Sequence, residues 1–223
     1  MTLERALGIL GDPARPLPGD AARAAMLPPF RRESPPEFAG APWRRAAVLV
    51  VLHSPDGLGA SFPLIERPEG QGVHSGQVSL PGGALEPGES AEACALRETF
   101  EELGVDPGSV RVVRALTSLG VPPSRFEIQP FVGVARAEPA FRPNPAEVAA
   151  VFEVALADLL DARACATFEM PGEDRAWSVP CFEFNGHRVW GATAMILAEL
   201  AVLLRERGGF PSTYPHGQMD WKE

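Results

Sequence analysis

Lysine is almost missing from this chain: Lys222 is the only one, so the 20 basic residues are otherwise arginines, and 29 acidic residues outnumber them for a formal charge of −9. A chain with that balance has no general attraction for a phosphate backbone, which excludes a broad nucleic-acid binder. An anionic substrate must instead be held by local arginines or by a divalent cation. Cysteine is also scarce. Cys94, Cys165 and Cys181 are odd in number and show no C-x-x-C spacing, which excludes a disulfide framework and a cysteine zinc cluster and reads as buried thiols. Long hydrophobic runs are lacking too. The cleanest runs from Ala46 to Leu52, and the run from Ala194 to Leu204 is interrupted by Glu199; a bilayer span needs about 20 apolar residues. No membrane partner is expected. Glu4 and Asp12 flank only a weak apolar stretch, with no basic start, so a secretory signal is not expected and a cytoplasmic location is.

What is present is an ordinary globular composition, 45% hydrophobic and 22% charged over 223 residues, enough for one domain with an appendage. Residues 1–45 predict a short helix at Leu3 to Leu10 and then an extended Pro- and Arg-rich arm, because its prolines break continued helix. The domain proper is expected over 46–207, with a tail at 208–223. Ala46 to Leu52, Val110 to Leu119, Ile128 to Ala135 and Glu147 to Val154 read as strands from their apolar and β-branched content. A short helix is expected at Ala155 to Leu160. Asn185-Gly186 between apolar runs predicts a two-residue hairpin turn within Cys181 to Trp190. Gly191 to Arg205 reads as a buried final helix. Strands mixed with a few helices give an α/β layered domain.

The informative segment is Leu80 to Val105, LPGGALEPGESAEACALRETFEELGV. A Pro81-Gly82-Gly83 turn leads through Glu86-Pro87-Gly88 to a helix that Ser90 caps and Gly104 ends. At about 100° per residue, Ala93, Leu96, Phe100 and Leu103 form one stripe, expected to face inward, while Glu98, Glu101 and Glu102 lie together opposite it. Carboxylates at this spacing repel. Either the face is simply solvated, or a cation lies between them, and oxygen-only ligands select Mg²⁺ or Mn²⁺ over zinc.

The whole segment resembles the Nudix box, G-x5-E-x7-R-E-U-x-E-E-x-G-U with U aliphatic. Gly83, Glu89, Arg97, Glu98, Glu101, Glu102 and Gly104 fill its fixed positions, a coincidence expected by chance about once in 10⁸ positions. Thr99 stands at an aliphatic position. The resemblance implies a Nudix-type α/β/α sandwich with a mixed β-sheet, and Mg²⁺- or Mn²⁺-dependent hydrolysis of a nucleoside diphosphate linked to another group. It also implies metal ligation by Glu98, Glu101 and Glu102 with the Gly82 carbonyl, an orienting role for Arg97, and a structural one for Glu89.

A narrower likeness is to Nudix enzymes that cleave coenzyme A, whose upstream signature is L-L-T-x-R-S/A-x3-R-x3-G-x3-F-P-G-G. Here Leu64-Ile65-Glu66-Arg67 precedes Gly76 and Leu80-Pro81-Gly82-Gly83, with Gly72 where the second arginine stands and Leu80 in place of Phe. Ser124-Arg125-Phe126, Pro130 to Gly133, Pro145 to Val148 and Val189 to Ala194 resemble the same subfamily. The implied reaction splits CoA into adenosine 3′,5′-bisphosphate and 4′-phosphopantetheine. The box alone admits ADP-ribose, dinucleoside polyphosphates or oxidised nucleotides, and a silent nucleotide sensor would not need all three glutamates.

Catalysis is assigned to Glu98, Glu102 and Glu147, the last as a loop glutamate that binds metal or acts as general base, with an ordinary strand start as the alternative. Substrate binding is assigned to Arg67, Gly82 and Gly83, Arg67 through a forked phosphate contact or otherwise a surface ion pair. His74 reads as incidental and Trp190 as core rather than adenine support. His53, His187 and His216 share no ligand spacing and receive no role.

Overall fold

A computed structural model describes residues 1–33, 42–68 and 76–205. Strand β1 (Arg44–Leu52) is buried on both faces along its second half, as a central strand should be. It pairs in parallel with β7 (Phe126–Ala135) from Arg44↔Phe126 to Leu52↔Val134, and antiparallel on its other edge with the short β4 (Gly82–Ala84), Val48 opposite Gly82. Strands β5 (Val110–Ala115) and β6 (Leu119–Val121) both pair antiparallel with β7, completing a five-stranded mixed sheet. Two antiparallel sheets stand beside it. One is β3 (Val78–Ser79), β2 (Ser61–Glu66) and β8 (Ala150–Ala155); the other is β9 (Cys165–Pro171), β10 (Ala176–Phe184) and β11 (His187–Trp190).

The alternation of β1 explains the layers. Ala47, Leu49 and Val51 pack with Cys94, Ala95 and Leu103 of helix α4 (Ala91–Leu103). Val50 and Leu52 point the other way, into a cluster with Ile196, Leu197 and Leu200 of the final helix α6 (Gly191–Leu204). The result is the expected α/β/α arrangement. Asn185 and Gly186 take φ of 51° and 83°, the double left-handed conformation of a type I′ turn, and set the Phe184↔His187 register.

The N-terminal segment departs from expectation. Instead of an extended arm it folds as α1 (Leu3–Leu10), α2 (Gly19–Arg23) and α3 (Pro29–Glu33), and Ala6, Leu10 and Met26 are fully buried in the cluster beneath α6. The prolines separate short helices, and Pro29 opens one, where its missing N–H is not needed. Val110 to Leu119 breaks into two strands. Strand β8 starts at Ala150, later than read, and helix α5 is only Leu156–Leu159. Gly208, Gly209, Gly72, His74 and His216 lie outside the described residues.

Just past β1, His53 is 1% exposed, and neither ring nitrogen has a hydrogen-bond partner among the described residues. Its Nε2 is 3.1 Å from Glu153 Oε1 but out of line for a bond, and its ring meets Phe141 edge-on at 5.5 Å. Burial pushes the imidazole below its usual 6.5, against the opposing pull of Glu153 and Glu138. The unfolded chain therefore binds a proton near pH 6.5 that the folded chain resists, so stability is lost as pH falls through that range. In melts from about pH 8 to pH 5, the Tm of the wild type should fall further than that of His53→Leu. Parallel curves would show that His53 protonates freely in place.

Candidate active site

Helix α4 starts at Ser90, whose hydroxyl accepts from Ala93 N–H at 3.1 Å. It ends at Gly104, left-handed at φ 70°, where an added Cβ would strike Arg142. Its buried face is Cys94, Ala95, Thr99, Glu102 and Leu103. This corrects the expected stripe: Ala93 is exposed and Phe100 is 52% exposed. The helix is turned so that Glu102, not Phe100, faces the sheet, because Gly82 N–H donates to Glu102 Oε2 at 2.8 Å. Thr99 tolerates burial by donating its hydroxyl to Ala95 O at 2.7 Å.

The glycines of β4 let this helix come close. A Cβ on Gly83 would sit 2.5 Å from the Glu98 carboxylate, and one on Gly82 would overlap the β1 backbone. Arg97 organises the rest. Its Nε and Nη2 grip Glu89 at 2.8 and 3.0 Å in a fork, and its Nη1 donates to both Glu98 Oε1 and Glu101 Oε2 at 2.9 Å. The fork holds the Glu89 carboxyl at about 2, and Glu89 also accepts from Glu86 N–H at 2.9 Å. Glu89 thus closes the loop and seats Arg97.

Burial is graded along the three carboxylates, with side-chain exposures of 15% for Glu98, 44% for Glu101 and 2% for Glu102. Burial raises the Glu98 carboxyl, partly against Arg97. It raises Glu102 to about 7, against the Gly82 N–H and Arg67, and with repulsion from Glu98 and Glu147. Glu147 thus lies within electrostatic reach of both. It sits in a turn, not on a strand, and its Oε1 accepts from Asn144 Nδ2 at 3.3 Å. Arg67 points inward, its Nη2 3.3 Å from both Glu102 Oε1 and Gly82 O.

Three carboxylates, a further glutamate and a carbonyl make an oxygen-only, negatively charged donor set, which fits a hard divalent cation. Among the described residues no three such side chains converge as a closed cage: Glu98 and Glu101 are turned onto Arg97, and Glu102 onto Arg67. An open set of this kind suits an ion that keeps water or takes substrate oxygens.

The other candidates make contacts of their own. Trp190, half-buried, meets Phe168 edge-on at 5.8 Å. His187 stacks on Phe152 at 4.0 Å, with Nδ1 3.7 Å from Glu66. Sequence reasoning missed the Arg67–Glu102 pair and the bonds of Asn144. The signal for the second was an Asx residue between two prolines.

No helix among the described residues is long and apolar enough to cross a membrane. The family model described as the NUDIX domain matches residues 43–171. The protein is 33% identical over 171 residues to Nudix hydrolase 15, mitochondrial, of Arabidopsis thaliana, covering 74% of this chain but only 60% of that relative. It is 36% identical over 168 residues to mitochondrial coenzyme A diphosphatase NUDT8 of Homo sapiens, covering 74% and 71%. It is 32% identical over 166 residues to the uncharacterized Nudix hydrolase NudL of Pectobacterium atrosepticum, covering 74% and 84%. With the fixed residues of the box laid over α4 and the Gly82-Gly83 strand, the chain belongs to the Nudix hydrolase family, enzymes that act on small nucleotide derivatives and generally use a divalent metal.

Proposed function

We propose that the protein is a Mg²⁺- or Mn²⁺-dependent coenzyme A diphosphatase of the cytoplasm, yielding adenosine 3′,5′-bisphosphate and 4′-phosphopantetheine. The catalytic unit is residues 46–207. The observation that carries the reaction class is the set of Glu98, Glu101 and Glu102 gathered by Arg97, Arg67 and Gly82. The substrate rests on the segments around the box, from Leu64 to Gly83 and beyond it, and on likeness to a relative named as a coenzyme A diphosphatase.

Glu98, Glu101, Glu102 and Gly82 O would hold the ion, whose charge neutralises the pyrophosphate oxygens when bound. Arg97 keeps Glu98 and Glu101 in place. Arg67 fixes Glu102 with one nitrogen and retains further donors for a phosphate oxygen. Gly82 and Gly83 leave the close approach that a side chain would block. Glu147 accepts the proton of the attacking water at Oε2, the oxygen that Asn144 does not hold. Water oxygen joins one phosphorus, the bridging P–O bond breaks, and each product keeps one phosphorus of the former pyrophosphate, the adenosine product carrying its 3′-phosphate besides.

A panel of CoA, ADP-ribose, NADH and dinucleoside polyphosphates with Mg²⁺ tests the substrate. CoA should show the highest kcat/KM. Dephospho-CoA should be poorer by about tenfold to a hundredfold if an arginine reads the 3′-phosphate, since a charged contact contributes about 1.5–3 kcal/mol. In ¹⁸O water, label should enter one product phosphate without release of free phosphate. ADP-ribose beating CoA by an order of magnitude would overturn the substrate and leave the family intact.

A further inference from the structure

The segment from Ala137 to Ala149 crosses from β7 to β8 and is tied down by three main-chain bonds to neighbouring elements. Arg142 N–H donates to Leu103 O at 2.7 Å, Asn144 N–H to Glu102 O at 3.0 Å, and Ala149 N–H to Glu66 O at 2.8 Å. The first two satisfy carbonyls that the last turn of α4 leaves without helical partners. The third pins the segment beside Arg67, which itself pairs with Glu102.

Asn144 is the centre of this arrangement. Pro143 and Pro145 carry no N–H, so within Pro143-Asn144-Pro145 the Asn144 N–H is the one main-chain donor, and it reaches the residue whose side chain lies in the active site. Both Arg142 and Asn144 precede prolines, which confines them to extended backbone and stiffens the crossing. The Asn144 carbonyl accepts from Glu147 N–H at 3.0 Å and from Val148 N–H at 2.8 Å. Its Oδ1 accepts from Ala146 N–H at 3.2 Å, and its Nδ2 donates to Glu147 Oε1 at 3.3 Å.

The geometry points to Asn144 as a positioning residue: it ties the carboxylate of Glu147 to the C-terminal turn of the helix that carries Glu98 and Glu102, so that the two move as one body. This rests on the part given above to Glu147. The main-chain bonds set the distance between the two elements, and the side-chain amide selects which carboxylate oxygen of Glu147 stays free. A glutamate in an exposed turn without that donor would sample several rotamers, and the oxygen facing the substrate would change with each.

Asn144→Asp separates this role from a merely structural one. It keeps the Oδ1 acceptor for Ala146 and all main-chain bonds, but replaces the donor to Glu147 with a second oxygen. Asn144→Ala removes both side-chain contacts. Both variants should lose about tenfold to a hundredfold in kcat with KM within about twofold. The metal-free Asn144→Asp protein should melt within about 2 °C of the wild type, with amide exchange at Glu147 and Val148 unchanged. In a Glu147→Gln background, Asn144→Asp should cause no further loss.

Wild-type turnover in Asn144→Asp would overturn the assignment. So would an equal loss in the Glu147→Gln background, or a loss that tracks faster amide exchange in both variants. Wild-type turnover in Glu147→Gln itself would overturn the part given to Glu147 and the positioning role with it. A crippled Glu147→Gln beside normal Asn144 variants would overturn the positioning role alone.

Discussion

Glu98→Gln and Glu102→Gln should each lower turnover by at least about 10²-fold, a loss of about 2.7 kcal/mol in transition-state stabilisation, while the protein still folds. Glutamine matches glutamate in size and helix propensity, so the change removes a charge and little else. At position 102 the amide oxygen can still accept from Gly82 N–H. The carboxyl there is already pushed up to about 7 by burial, so a neutral isostere suits its surroundings when no cation is bound. At position 98 Arg97 keeps its fork on Glu89 and its bond to Glu101. Tm should therefore stay level or rise as repulsion is relieved. Glu101→Gln should cost less than either, because Glu101 is the most exposed of the three and solvent screens its charge. Steady-state rates at saturating Mg²⁺ with parallel melts decide it, and near-normal turnover in both buried variants would sink the metal-ligand assignment.

The parts of the site legible in the sequence were those fixed by spacing within one helix and its loop. Ser90, Gly104 and the run Arg97-Glu98 to Glu102 are local, and a cap, a left-handed stop and a 3.6-residue repeat do not depend on the rest of the fold. The inward face of α4 was misread for a physical reason. Ranking by apolar content places Phe100 inside, but the Gly82 N–H needs an acceptor where the helix meets β4, and Glu102 supplies it. One long-range hydrogen bond outweighed an aromatic ring. The strands β3, β4 and β9 went unread, the first having only two residues, the second showing the glycines of a turn, and the third mixing Thr, Glu and Pro among its apolar positions.

The N-terminal segment failed for the opposite reason. Proline count argued for an extended chain, and nothing within residues 1–33 announces what they pack against. The information lay far away, at Glu199, the one charge in the apolar run of the last helix. A carboxylate fully buried in such a run demands a cation, and the chain supplies it from Arg23, 176 positions earlier.

That pair carries the second large expectation. Arg23 is 1% exposed and Glu199 fully buried. Arg23 Nη2 meets Glu199 Oε2 at 2.5 Å and also reaches Thr117 O, while Nη1 donates to Ser118 O at 2.8 Å. Glu199 Oε1 takes the Thr117 hydroxyl at 2.6 Å and its N–H at 3.1 Å. Three segments distant in sequence thus meet at one buried charge pair. Arg23→Met should cost about 3–5 kcal/mol, a large part of a typical folding margin, because it strands a buried carboxylate. Arg23→Met with Glu199→Leu should recover most of that loss, since an apolar pair carries no desolvation penalty. It should still fall short of the wild type, because the Thr117 and Ser118 carbonyls and the Thr117 hydroxyl lose their partners. Urea titration of wild type, both single variants and the double variant gives the coupling directly. Additive losses would show that the two side chains contribute to stability separately, and that the N-terminal helices are held to α6 by apolar packing alone.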